Sequence, residues 1–233
     1  DGYTDIFQAN DHQLNFLFKY ENGRYKEIAI PTGVAANSQG KGTGSMHACP
    51  GDVDGDGLID ILVTDLDYGA LYKNLGNGLF TDISEESGIA AQMAGKGGWG
   101  AQFFDYDNDG DLDIVVANGT AEELTLQHPL LLENDGKGHF KNVGKEHGNY
   151  FTGKRSGRGL VVLDYNNDGN MDILISHVEL PGTPVLLKNE GGNGHHWFGL
   201  TLKGKNGPAS AVAAKVTLTA GGAKQVQVNQ WAT

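Results

Sequence analysis

The stretch Asp105-Tyr106-Asp107-Asn108-Asp109-Gly110-Asp111-Leu112-Asp113 sets a carboxylate at every second position around one glycine, then runs into Ile114-Val115-Val116. Hard oxygen donors at loop positions 1, 3, 5 and 9, a backbone carbonyl at 7 and a glycine at 6 are what a flexible, high-coordination Ca²⁺ site requires. Asp105, Asp107, Asp109 and Asp113 offer those side chains, and Asp111 offers the carbonyl. A helix-loop-helix calcium hand begins in the same way but needs a bidentate Glu at position 12 and an exiting helix. Position 12 here is Val116, and the β-branched run around it points to a buried strand.

The pattern recurs. Asp52, Asp54, Asp56 and Asp60, with the carbonyl of Leu58, precede Ile61-Leu62-Val63; Asp164, Asn166, Asp168 and Asp172, with the carbonyl of Asn170, precede Ile173-Leu174-Ile175. Asn166 keeps an oxygen but removes a charge, so the third loop is expected to bind more weakly. The chain opens on the tail of a fourth copy, in which Asp1 and Asp5 match positions 5 and 9, too few ligands for a tight site. About three structural Ca²⁺ sites are therefore expected. A catalytic metal keeps an open position beside a base or nucleophile, whereas these self-contained loops read as charge-neutralising locks between strands.

The elements that position the loops repeat with them. First loop residues at 52, 105 and 164 recur every 53 and 59 residues, a period typical of repeat architectures. A small-residue strand precedes each loop: Gly44 to Cys49, Gly98 to Phe104 and Gly157 to Leu163. After each loop strand comes a hairpin, clearest in Ala70-Leu71-Tyr72-Lys73-Asn74-Leu75-Gly76-Asn77-Gly78-Leu79-Phe80, repeated at Leu130 to Phe140 and more loosely at Phe16 to Tyr25. Four strands per unit at this length describe the blades of a β-propeller. The single helix expected is a short run from Ile83 to Gly88.

Composition narrows the function. With 36 glycines the chain suits many tight turns, and a formal charge of -12 argues against nucleic acid and anionic membranes, both of which need a basic face. No apolar run approaches the ~20 residues of a membrane span. The one cysteine, Cys49, reads as a buried, inert thiol. The eight histidines are scattered, and none pairs at the helical spacing of a zinc site. His195-His196 precedes an expected strand, so the two would face opposite ways. His47, Trp99 and Arg158 fall in the innermost strands, where they would line an axial channel or pack between blades. There is no Gly-x-Ser-x-Gly elbow, and Gly40 to Ser45 lacks the spacing of a phosphate cradle. Asn118-Gly119-Thr120 has the form of a glycosylation acceptor.

These loops and hairpins resemble FG-GAP/VCBS repeats, the calcium-bearing blades of integrin-like propellers, and the hairpin style is similar to the cartilage acidic protein family. His195 to Gly204 and Ala213 to Gly222 resemble the start of the ASPIC/UnbV domain that follows such propellers, departing at Ala213-Ala214-Lys215, where that family usually has Gly-Ala-Arg. The resemblance implies an all-β fold: about four blades of a probable seven-bladed propeller over residues 1–194, then part of a small β domain over 195–233. It also implies a calcium-stabilised, non-catalytic protein for binding, adhesion or assembly, with a protein or glycan ligand or with copies of itself. An enzyme with a site on the axis and a repeat of an extracellular filament are the alternatives. Extracellular calcium modules work at Kd of roughly 10⁻⁴ to 10⁻³ M, so an extracellular, periplasmic or cell-surface location is expected.

Overall fold

The computed structural model describes residues 3–121, 125–179, 182–191, 194–197, 199–205, 211, 214–220 and 223–229. The readings placed on Asp1, Phe198, Ala213, Gly221 and Gly222 lie outside them. The chain begins with β1 (Ile6–Gln8), β2 (Asp11–Gln13), β3 (Phe16–Glu21) and β4 (Arg24–Glu27), of which β1, β3 and β4 form the first sheet. β2 crosses to the second sheet, ordered β2-β5-β6-β7-β8 with β5 (Thr43–Gly51), β6 (Asp60–Asp65), β7 (Gly69–Asn74) and β8 (Phe80–Asp82). The third sheet runs from β9 (Gly98–Phe104) through β10 (Asp113–Asn118) and β11 (Leu130–Asn134) to β12 (Phe140–Asn142), and the fourth contains β13 (Gly157–Leu163), β14 (Asp172–His177) and β15 (Val185–Leu187). All pairings are antiparallel in these four sheets, as blades require.

Alternation along the strands explains why the sheets stack. On β10, Ile114 and Val116 point into a core shared with Leu62 and Leu71 of the second sheet, while Val115 and Ala117 point into a core shared with Ile173 and Ile175 of the fourth. On β6 the same split sends Leu62 one way and Ile61 and Val63 the other, toward Leu17, Ala29 and Val34. A strand apolar on both faces belongs between two layers, so each loop strand is a blade centre. β14 lacks the second layer: Leu174 and, beside it on β15, Leu186 are 38% and 45% exposed.

The inner strands lie side by side. The amide of Phe103 on β9 donates to Cys49 Sγ on β5 at 3.3 Å, and the amide of Val162 on β13 donates to Gln102 Oε1 on β9 at 3.0 Å. Burial raises the Cys49 thiol to about 11, so it stays protonated.

Helices differ from the sequence reading. Residues 84–87 form turns rather than a helix, and α2 (Ile89–Met93) starts just after them. Ser84 is fully buried, with its hydroxyl close to Asp82 Oδ1 and accepting the amide of Leu71, which holds that stretch as a turn. Matching short helices, α1 (Ala29–Thr32) and α3 (Asn149–Thr152), follow the outer strands of the first and third sheets. Ala29, Ile89, Met93 and Phe151 give them a role as plugs in the inter-sheet cores.

Among the described residues of 195–205 there is no strand, so the strand expected after His195-His196 does not form there. Among the described residues β16 (Lys215–Ala220) and β17 (Ala223–Val228) pair only with each other, and Lys215, Val226 and Gln225 lie against Gly57 and Gly110 at the loop end of the sheets. Lys215 Nζ reaches the carbonyl of Gly57, and Trp197 lies so close to Gly169 that any side chain there would overlap the indole.

Asn118 is 1% exposed, and its Nδ2, the atom a glycan would occupy, donates to the carbonyl of His128 at 2.8 Å. A glycan there is incompatible with the fold. Expressed in a glycosylating host, the folded chain is expected to show no mass loss at Asn118 on glycosidase treatment.

Candidate metal centre

Each Asp-rich loop joins an inner strand to a blade centre, and the same hydrogen bonds shape all three. The first carboxylate accepts the amide of loop position 6: Gly57 to Asp52 at 2.8 Å, Gly110 to Asp105 at 3.0 Å and Gly169 to Asp164 at 2.9 Å. Position 5 accepts the amide of position 7, from Leu58 to Asp56 at 2.8 Å, Asp111 to Asp109 at 2.9 Å and Asn170 to Asp168 at 2.9 Å. The backbone turns over at position 6, where φ is +88° at Gly57, +103° at Gly110 and +85° at Gly169, which glycine alone adopts freely. Position 4 is left-handed as well, which accounts for Gly55, Asn108 and Asn167 there.

This wrapping turns the first, third and fifth side chains toward one point. In the loops starting at Asp52 and Asp105, oxygens of Asp52, Asp54 and Asp56, and of Asp105, Asp107 and Asp109, lie within 4.8 Å of one another. Asp164, Asn166 and Asp168 behave differently. Asn166 Nδ2 donates to Asp168 Oδ2 at 2.7 Å, so an amide proton meets the carboxylate from inside the loop. That bond, with the stronger one from the Asn170 amide, holds Asp168 below the usual carboxylate range.

Position 9 is the anchor. One oxygen of Asp60, Asp113 and Asp172 accepts the amide of position 2, at 3.0, 3.2 and 3.1 Å from Val53, Tyr106 and Tyr165. The other accepts an amide on the third strand of the sheet or just beyond it, at 2.8, 2.9 and 2.7 Å from Asn74, Asn134 and Asn189. Asp5 repeats the second bond, accepting the amide of Tyr20 at 2.9 Å. Position 9 thus closes the loop onto the blade with both its oxygens, while positions 1, 3 and 5 form the cluster.

Burying this much negative charge disfavours ionisation. Burial, opposed by the amides it accepts and aided by neighbouring carboxylates, raises Asp60 and Asp105 to about 6 and Asp113 to about 8. Asp52 is raised as well, mainly by burial. It is 6% exposed, and its Oδ1 has no hydrogen-bonding partner among the described residues. A buried, unsatisfied carboxylate oxygen beside two more carboxylates suits a hard divalent cation, because a metal would satisfy the oxygen and neutralise the cluster. The donor set fits calcium.

Two further sets of residues were legible in the sequence but went unread. Asn74, Asn134 and Asn189 each direct Nδ2 to the carbonyl just before position 9 of their own blade, at 3.1, 3.0 and 3.3 Å. Asn134 also donates to the Val53 carbonyl at 2.8 Å, and Asn189 to the Tyr106 carbonyl at 2.7 Å, each reaching the loop of the preceding blade. The repeated Asn-x-Gly of the hairpins was the available signal. The residue before each asparagine is Lys73, Glu133 or Lys188; Lys73 pairs with Asp54, and Glu133 accepts the Tyr106 hydroxyl, in those loops.

The axial candidates are occupied by the fold itself. The Arg158 guanidinium stacks over Trp99 at 4.1 Å and donates to the carbonyls of Thr120 and Gly157, each at 2.8 Å, and to Ser156 Oγ at 3.1 Å. Trp99 Nε1 donates to the Gly119 carbonyl at 2.8 Å. These contacts tie adjacent inner strands together, and His47 takes no part in them.

Residues 1–63, 52–116 and 125–175 match the FG-GAP-like repeat, together most of the chain. Mouse cartilage acidic protein 1 is 27% identical over 92% of this chain and 33% of its own length, and the human protein is 28% identical over 92% and 32%. Integrin alpha-4 of Xenopus laevis is 28% identical over 81% of this chain and 19% of its own length. The chain thus spans about a third of the cartilage acidic proteins and less of the integrin. Among solved structures, an Agrocybe aegerita lectin described for recognition of non-reducing terminal N-acetylglucosamine aligns with 82% of this chain and 50% of its own at 21% identity, with a TM-score of 0.42.

Proposed function

The chain belongs to the FG-GAP-like repeat family, and from that premise we propose that it is a calcium-stabilised run of β-propeller blades, exported from the cell, that works by binding or adhesion rather than by catalysis. The observation that carries the calcium reading is the unsatisfied Asp52 Oδ1, buried within a carboxylate cluster whose geometry returns at Asp105. Asp52, Asp54, Asp56 and Asp60 with the Leu58 carbonyl would hold one ion. Asp105, Asp107, Asp109 and Asp113 with the Asp111 carbonyl would hold a second, and Asp164, Asn166, Asp168 and Asp172 with the Asn170 carbonyl a weaker third. The remnant at Asp5 contributes to folding through its bond to Tyr20.

Bound calcium would supply charge neutralisation at the turn between two strands, and folding would be linked to it by mass action. Loops of this kind fill at extracellular calcium concentrations, and relatives named for cartilage and as an integrin subunit support export and a protein ligand. Glycan binding and self-assembly fall under the same reading of a scaffold whose loops carry the specificity. Residues 195–233 are read as opening a second, ASPIC/UnbV-like β domain after the blades of 1–194.

The test is thermal. At about 1 mM calcium, Asp107→Ala is expected to lower Tm by about 2–4 °C, the worth of roughly one bound ion in a chain this size. In chelator the variant and the parent should melt almost together. Equal losses in both conditions would remove metal from the explanation.

A further inference from the structure

The three loops are built alike, but the hairpins present different charges to them, a lysine in two blades and a glutamate in one. β6 pairs with β7 through Ile61 and Tyr72, β10 with β11 through Ile114 and Leu132, and β14 with β15 through Ile173 and Leu187. One residue further on stand Lys73 on β7, Glu133 on β11 and Lys188 just beyond β15, at one register position. The Lys73 ammonium pairs with Asp54 and lies 3.6 Å from Asp56, two of the three clustered carboxylates of its loop. Lys215 approaches that loop from the other side, on the Gly57 carbonyl. At the next loop the position is a carboxylate. Glu133 accepts the hydroxyl of Tyr106, the second loop residue, at 2.8 Å, which sets its carboxylate against the loop. Lys188 pairs with Glu190 at 3.1 Å.

Calcium affinity in oxygen loops is tuned by the charge of the ligands and the rigidity of the site. The loop at Asp105 clusters oxygens of Asp105, Asp107 and Asp109, with Glu133 on the adjoining Tyr106, and among the described residues no lysine is paired with them. The loop at Asp52 has four aspartates, and the ammonium of Lys73 already sits on two of them. The loops at Asp52 and Asp105 share the same cluster of three aspartates; they differ within the motif at position 7, Leu58 against Asp111, and outside it at the hairpin, Lys73 against Glu133.

We propose that the residue at this register position sets the calcium affinity of its loop: Glu133 makes the loop at Asp105 the first to fill, while Lys73 acts as an internal cation that calcium must displace from the loop at Asp52. This rests on the calcium reading above. A lysine on the hairpin also lets an empty loop keep its shape, so the blade at Asp52 would hold together at low calcium while the blade at Asp105 would depend on the ion.

Isothermal titration of the full 233-residue chain with calcium chloride separates the outcomes. The parent is expected to show one tight class of site ahead of a weaker one. Glu133→Lys should weaken the tight class by about tenfold or more, the effect of one nearby charge reversal partly screened by water. Glu133→Gln should do so by less. Lys73→Gln should tighten the weaker class by about tenfold, and should do so equally in an Asp107→Ala background that has lost the tight class. Both side chains are partly exposed on a hairpin, and far-UV circular dichroism checks that each variant is folded. If folded Lys73→Gln and Glu133→Lys both give the parent isotherm while calcium still binds, the proposal is wrong and the calcium reading stands. If the parent takes up no calcium at millimolar concentrations, the calcium reading itself is wrong.

Discussion

Asn134→Ala is expected to cost the folded chain about 3 kcal/mol, since each buried group left unsatisfied costs about 1–3 kcal/mol and some will be rehydrated. Asn134 is 5% exposed and uses the whole of its amide. Nδ2 donates to the Val53 carbonyl in the preceding blade and to the Leu112 carbonyl in its own, and Oδ1 accepts the Gly136 and Gly138 amides at 3.2 and 3.0 Å. One side chain thus joins two aspartate-rich loops and a hairpin turn, and alanine leaves two carbonyls and two amides unpaired. Asn74 supplies the control. It makes the bond within its own blade, to the Ile59 carbonyl, and accepts the Gly76 amide, but no bond from its side chain to a neighbouring blade is seen among the described residues. It is also less buried, so Asn74→Ala should cost only about 1 kcal/mol. Urea titrations at constant m-value measure both. Equal losses in the two variants would mean that the bond between blades contributes nothing.

Much of this arrangement is legible in the sequence. The loops announced themselves because calcium chemistry dictates residue types at fixed spacing, and the period of the loops dictated stacked sheets. The strands Gly98–Phe104 and Gly157–Leu163 follow from the small residues and the apolar run at their ends. What escaped was set by partners distant in sequence. A short helix at Ile89–Met93 has no strong cap; it forms because Ile89 and Met93 fill the space between two sheets, a tertiary demand invisible to local propensity. Asn118 carries a glycosylation motif, yet its burial follows from lying on a strand flanked by two layers. The roles of Asn134 and Glu133 depend on which blade faces which loop. Register within a hairpin can be guessed from its turn, but contact between blades cannot.

In chelator, the melting temperature is expected to fall as pH rises from about 4 to about 8, by about 5 °C or more, and saturating calcium should reverse that slope. The first half follows from the direction of the shifts. Burial raises Asp60 to about 6 and Asp113 to about 8, above the value near 4 that a carboxyl has in an unfolded chain. A group raised on folding binds its proton more tightly in the folded state, so its stabilisation is complete below the unfolded value and is lost as pH climbs through the folded one. Each unit of displacement on these fully buried groups corresponds to about 1.4 kcal/mol, and in a chain of this size 1 kcal/mol moves Tm by about 2–4 °C. Asp135 and Asp168 are shifted downward, but they are exposed and their contribution disappears only below about pH 4, outside the window. The second half follows from ligation: carboxylates must lose their protons to hold calcium, so binding strengthens with pH over the same interval. Two melting series, one in chelator and one in excess calcium, should therefore diverge between pH 5 and 8. Parallel curves would mean that the buried aspartates titrate without reference to metal, and would leave the loops as hydrogen-bonded turns.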